Sequence, residues 1–378
     1  MKGVVSSLAR RGVAATARFS ATDAGREVKL NIPTWAIVMV GSTVLLFLVL
    51  ETMAEYTFGR LIPTLIMVES PEAVLFEPLE SEDPDSVLKG SKNVEPELLL
   101  IKQAPVTSSF RTTLRHLRAR AGFWSRMRGF GAFICYTLVF QHVATLLNLL
   151  AFIPECVAPV LAAVLCSQLF MAWTHVVMSE PNGKRWFKRI NFSTSAWKKI
   201  AGPTAVLEIA EQLTIMLPFY LFMSYGFGEL THESLKQLPC SERRMLVLKG
   251  FSIIALGIAM ALLVVIPANV ALVRVQASLL SENEVPIVPF DRSFGGKVEP
   301  EIVGGTGVLS SKDAWNTFDG RARVRLVKAY GKAIAIQVAL GMLASMVVMS
   351  QVMWITKGDL QKLIPSDGSK DDTLTLSI

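Results

Sequence analysis

The chain has 378 residues, of which 51% are hydrophobic and only 18% charged, whereas an ordinary soluble domain carries about 25% charge. That balance excludes a typical water-soluble globule and points to the lipid bilayer. The formal net charge is +7. No basic stretch is interleaved with aromatics in a nucleic-acid-binding pattern, so the excess is read as orientation and contact with anionic lipid headgroups, with no nucleic acid as partner.

Residues 1–31 form a basic N-terminal tail. Its first part holds Lys2, Arg10, Arg11 and Arg18 among many Ser and Ala and lacks acids up to Thr22, the composition of a mitochondrial targeting segment. A flexible basic cytosolic tail is the alternative. The first apolar run covers 32–50, and 57–68 continues apolar around Arg60 and Pro63. That second run is too short to cross a hydrocarbon core of about 30 Å. It is expected as a kinked or interfacial extension, so that 32–68 forms one unit.

Residues 69–129 reverse in charge. The stretch 69–97 is acidic and proline-punctuated, the pattern of a loosely ordered loop. In 110–128, Phe110, Leu114, Leu117, Ala121 and Trp124 recur at steps of three and four with Arg111, Arg115, Arg118 and Arg120 between them. This spacing predicts an amphipathic basic helix lying on the membrane surface, its arginines toward lipid headgroups.

A four-span region, 130–273, follows with apolar runs at 130–152, 156–178, 203–226 and 249–273. The connection 274–331 is turn-rich and is expected to fold against the basic face. A last span at 332–354 precedes a polar tail, 355–378. The fold class is therefore all-α, a polytopic membrane protein of about six transmembrane helices with amphipathic basic surface helices. Basic, Trp-marked segments precede the second, fourth and sixth spans, in the last two cases around Trp186 and Trp197 and around Trp315. The positive-inside rule puts this face in the matrix or cytosol and both termini opposite. The basic N-terminal tail disagrees with that orientation unless it is removed or 57–68 alters the span count.

Polar groups inside spans are costly and mark candidate sites. Glu208 and Glu211, three residues apart, share one helix face with Gln212 nearby. They read as a cation or proton site or a gate, or as structural partners of Lys198 or Lys199. His142 and His175 are further candidates for a polar lining, with hydrogen bonding between helices as the alternative. Cys135, Cys156 and Cys166 lie in apolar runs and Cys240 in a loop, which gives neither a disulfide framework nor metal-ligand spacing. No zinc-protease, phosphate-loop, kinase or serine-hydrolase motif occurs, so neither catalytic residues nor a metal or cofactor is expected, and an enzyme is not.

The threefold order of odd span, basic segment and even span resembles the mitochondrial carrier family. At the end of the fifth span, Pro267, Arg274 and Gln276 match the carrier signature Pro-x-Asp/Glu-x-x-Lys/Arg-x-Arg-x-Gln, while Asn269 and Leu272 replace its two gate charges. The resemblance implies a carrier-derived, transport-type protein of a mitochondrial membrane without the salt-bridge gate. The blocks Ala172-Trp173-Thr174-His175, Pro289-Phe290-Asp291-Arg292-Ser293-Phe294-Gly295-Gly296 and Asp313-Ala314-Trp315-Asn316-Thr317-Phe318-Asp319 also resemble a family of uncharacterised fungal multi-span membrane proteins. The competing expectation is a non-transporting scaffold that binds anionic lipid and a protein partner, and a secretory-pathway membrane is the alternative location.

Overall fold

The computed structural model describes residues 34–70, 105–183, 185–190, 192–230, 239–299 and 304–363. The targeting segment, the acidic stretch beyond Ser70 and the tail beyond Leu363 lie outside the described residues. In chain order the helices are α1 (Thr34–Ala54), α2 (Ile62–Val68), α3 (Phe110–Ala121), α4 (Phe130–Asn148), α5 (Ala158–Met178), α6 (Thr194–Ser224), α7 (Cys240–Met260), α8 (Ile266–Ser278), α9 (Ser311–Asn316) and α10 (Gly320–Leu363). Six helical stretches are long and apolar enough to cross a membrane: Thr34–Val68, Phe123–Asn148, Ala158–Met178, Thr194–Ser224, Cys240–Ser278 and Gly320–Ile355. The chain is an all-α integral membrane protein.

Several spans run longer than their apolar cores. The helix of the fourth starts at Thr194 and carries Pro203 inside it. The first is extended most, because 57–68 continues it as helix. A π turn, Glu55–Leu61, joins α1 to α2, with Pro63 in the first turn of α2. At that position proline lacks only an N–H with little part in the ladder, and the wide turn accommodates its ring. The helix therefore continues, and every residue from Leu61 to Val68 is buried. The fifth span repeats this arrangement, with a π turn at Ala261–Val265 and Pro267 in the first turn of α8.

The chain divides into two compact units. In the smaller, the two terminal helices run antiparallel. Trp35 meets Trp354 edge-on at 5.6 Å, and Gln351 donates to the Thr43 hydroxyl at 2.8 Å.

In the larger unit, Thr52–Gln337, the buried apolar residues gather where the spans meet the basic segments. Leu61, Ile62 and Leu65 of the first stretch pack with Trp173, Val177, Ile200, Val270 and Val273. Each fully buried side chain of this size contributes about 1.5–3 kcal/mol where water is the alternative. Within lipid that driving force is lacking, consistent with outward-facing residues such as Leu213, Phe251 and Leu263 being exposed.

The connection after α8 folds onto this core. Ile287 donates its N–H to the Met178 carbonyl and Glu180 to that of Val285, both at 2.7 Å, while Ile287, Val288, Phe294 and Leu309 are buried.

The basic surface helix departs from expectation in two ways. It ends at Ala121, because Gly122 adopts a positive φ of 77°, and a short 3-10 turn Phe123–Met127 follows. Its apolar stripe faces the protein instead of lipid: Leu117 is buried and Phe110 stacks on Phe58 at 5.1 Å. Ser109 caps it in a reciprocal box with Thr112. Arg111, Arg115, Arg118 and Arg120 remain exposed on the other side.

Candidate functional site

One polar cluster lies among the spans of the larger unit. Arg60, in the π turn of the first stretch, is exposed, yet its charge acts on Tyr136 of α4, Glu211 of α6 and Tyr330 of α10. Glu208 and Glu211 are both half-buried, and Gln212 donates to Glu208 Oε1 at 3.0 Å. Asn269 of α8 donates to the Tyr330 hydroxyl at 3.1 Å. Five elements thus contribute polar groups to one place.

The charges of this cluster are close without touching. Ion pairs between described residues are Arg120–Glu180, Arg189–Glu284 and Arg325–Glu69, and Arg60, Glu208 and Glu211 take part in none of them.

Below the cluster, toward the basic segments, the interior is filled. Leu61 follows Arg60 directly and has no exposed surface, and Ile62, Leu65, Val270 and Val273 are equally enclosed. Polar ties lock this plug to the cap beneath it. Arg189 pairs with Glu284 at 3.0 Å and donates to the Ser179 hydroxyl, and Arg128 donates to the Val176 carbonyl at 2.7 Å. Glu69 accepts from the Thr107 hydroxyl and lies 3.6 Å from Arg325.

The sequence-derived candidates fall in three places. Glu208 and Glu211 are in the cluster. His142 is exposed, its Nδ1 bonded to the Leu138 carbonyl of its own helix at 2.7 Å. His175 is buried in the cap, where Nε2 donates to the Gln276 carbonyl at 2.8 Å. Of the carrier-like residues, Pro267 opens α8. Gln276 is fully buried and accepts from the Thr174 hydroxyl at 2.7 Å. Arg274 is 5% exposed and donates to Thr317 Oγ1 at 2.9 Å. Arg60, Tyr136, Asn269 and Tyr330 join the cluster without having been singled out; a lone arginine in an apolar run was the one signal available.

The cap carries two small cavities. One of about 260 Å³ lies beside His175, Lys188, Arg189 and Glu284, and one of about 410 Å³ beside Arg274, Asp291, Phe294 and Thr317. Partial burial would raise the Asp291 carboxyl. The Gly295 N–H together with the hydroxyl and N–H of Ser293 outweighs it and holds the carboxyl below the usual range. Among the described residues no group of three or more His, Cys, Asp or Glu is placed to hold a metal.

Fold and polar groups together define a polytopic helical membrane protein with half-buried polar side chains inside its spans. No protein-family model, curated protein or solved structure matches the chain.

Proposed function

We propose that this is a transport-type membrane protein whose path runs through the cluster of Arg60, Glu208 and Glu211. The observation that carries the reading is the pair Glu208 and Glu211, half-buried inside the apolar fourth span with Gln212 bonded to Glu208. Carboxylates inside an apolar span are costly unless they face the bundle interior or an aqueous vestibule. The plug at Leu61 and Val270 closes the vestibule toward the basic face, so entry is from the opposite side. The carrier-like order of segments and the matching proline turns of the first and fifth spans support a carrier-derived origin. The composition of the N-terminal tail supports a mitochondrial membrane.

The test is uptake of small charged solutes into liposomes containing the full-length protein. Saturable uptake that disappears in both Glu208→Gln and Glu211→Gln, with assembly unchanged, supports the path. Uptake that survives both substitutions removes the cluster from it.

A scaffold is the second reading, favoured by one surface. Phe123 and Trp124, 70% and 75% exposed, stand beside the exposed arginines of α3, a combination suited to an anionic lipid interface. Absence of any saturable uptake, together with loss of function on neutralising Arg111, Arg115, Arg118 and Arg120, favours this reading and its protein partner.

A further inference from the structure

We propose that the cavity beside His175 binds a phosphorylated polyol, a small molecule that joins one phosphate to free hydroxyls. The inference is independent of the transport reading. The cavity holds about 260 Å³, below the range of about 300–1,000 Å³ typical of drug-sized ligands, so its occupant is small. Three elements form its polar wall. His175 stands in the last turn of α5, Lys188 and Arg189 in the 3-10 turn Trp186–Arg189, and Ser281 and Glu284 in the connection after α8.

Hydrogen bonds hold these groups in place. Arg189, its side chain 5% exposed, donates to Glu284 Oε2 at 3.0 Å and to the His175 carbonyl at 3.3 Å. His175, 8% exposed, donates from Nε2 to the Gln276 carbonyl at 2.8 Å. That bond commits the Nε2 proton, and the neutral ring then carries its lone pair on Nδ1. Among the described residues Nδ1 has no hydrogen-bond partner, and it is not sealed off by its neighbours, so it meets the cavity. The same holds for Glu284 Oε1. The cavity thus presents two acceptors.

Lys188 and Ser281 are exposed and supply donors to the same space. Lys188 and Arg189 against Glu284 leave one positive charge on the wall. Inorganic phosphate would match Lys188 but set its oxygens against a carboxylate and a lone pair. An ammonium would match the acceptors but face two cations. A phosphate that carries vicinal hydroxyls avoids both conflicts, its phosphate on Lys188 and Ser281 and its hydroxyls donating to His175 Nδ1 and Glu284 Oε1. The 3-10 turn also carries Trp186 and the exposed Phe187, and tryptophan marks the membrane–water interface. At that depth a phosphoglycerol can come from a lipid headgroup or from a free ester.

The experiment is binding of radiolabelled glycerol 3-phosphate to the purified full-length protein in phosphatidylcholine nanodiscs, with glycerol, inorganic phosphate and phosphocholine as competitors. The expected result is saturable binding, each competitor being weaker by about tenfold or more, the loss of one charged hydrogen bond. Lys188→Gln should weaken binding by a similar factor at an unchanged melting temperature, whereas Lys188→Arg, which keeps the charge, should retain it. Glu208→Gln should leave binding unchanged, which separates this site from the transport path. Phosphatidylglycerol added to the nanodisc distinguishes the two sources. Displacement of the label supports a lipid headgroup at the site, and a label that stays bound supports the free ester. Inorganic phosphate binding as tightly as the ester, binding that survives Lys188→Gln undiminished, or absence of saturable binding overturns the assignment.

Discussion

Arg274 of α8 donates Nη1 to the carbonyl of Met67, in the last turn of α2, at 3.2 Å. The contact joins the two helices that follow a π turn. It also closes a C-terminal carbonyl that the helix itself leaves without a partner. The guanidinium is held face-on by Phe294 at 4.7 Å and Phe318 at 5.5 Å, which gathers α2, α8, the connection and the approach to α10 around one side chain.

Arg274→Lys should therefore destabilise the protein although it keeps the charge. Lysine has no planar fork for Met67 and Thr317 at once and no delocalised plane for the two rings. The loss is expected at about 1–3 kcal/mol, read as a lower melting temperature in detergent. A melting curve unchanged from the parent would mean the contacts contribute nothing to the cap.

Gly129 is a second sensitive position. Its φ is 75°, and a Cβ there would lie 3.2 Å from the Tyr56 hydroxyl and 3.3 Å from the Trp173 ring. Gly129→Ala should cost about 1–3 kcal/mol through backbone strain, with further displacement of the Tyr56–Trp173 hydrogen bond, which spans 3.1 Å. A changed Trp173 emission accompanying the lower melting temperature would report that displacement, and unaltered values of both would contradict it.

The connection after α8 should weaken in acid. Asp291 is held below the ordinary carboxyl range in the folded protein, so its contribution is present above the unfolded value of about 3.9 and is lost as pH falls through the lower folded value. Limited proteolysis of the connection should therefore be faster for Asp291→Ala than for the parent at neutral pH. The difference should shrink once pH drops below the carboxylate range. A gap that persists unchanged in acid would assign the effect to something other than the carboxylate.

The arginines of α3 are outward-facing, and replacing Arg111, Arg115, Arg118 and Arg120 by glutamine should leave the fold intact. The pair Arg120–Glu180, at 2.8 Å, is well exposed on the arginine side, and such pairs contribute little. Added anionic lipid should raise the melting temperature of the parent more than that of the quadruple variant. Equal rises would remove this face as a lipid contact.

The spans were legible because long apolar runs have few other uses. Their ends were not: Thr194–Lys199 is helical but too polar for an apolar window to include it. The stripe of Phe110, Leu114 and Leu117 has the same period whether it meets lipid or a protein core, so its destination depended on Phe58, which sequence spacing could not bring near. Pro63 read as a break because a π turn has no sequence signature. Glu208 and Glu211 were found from spacing alone, whereas Tyr136, Asn269 and Tyr330 come from helices whose rotation only the packed structure fixes.

Thiol accessibility at position 211 decides whether the fourth span faces water. Glu211→Cys, in a protein whose native cysteines are replaced by serine, is exposed to a membrane-impermeant thiol reagent from each side of sealed vesicles. Labelling is expected from the side of Glu229 and Pro239, opposite the basic segments, with protection from the other side. Labelling from the basic side, or none from either, would contradict a vestibule closed by the plug at Leu61 and Val270.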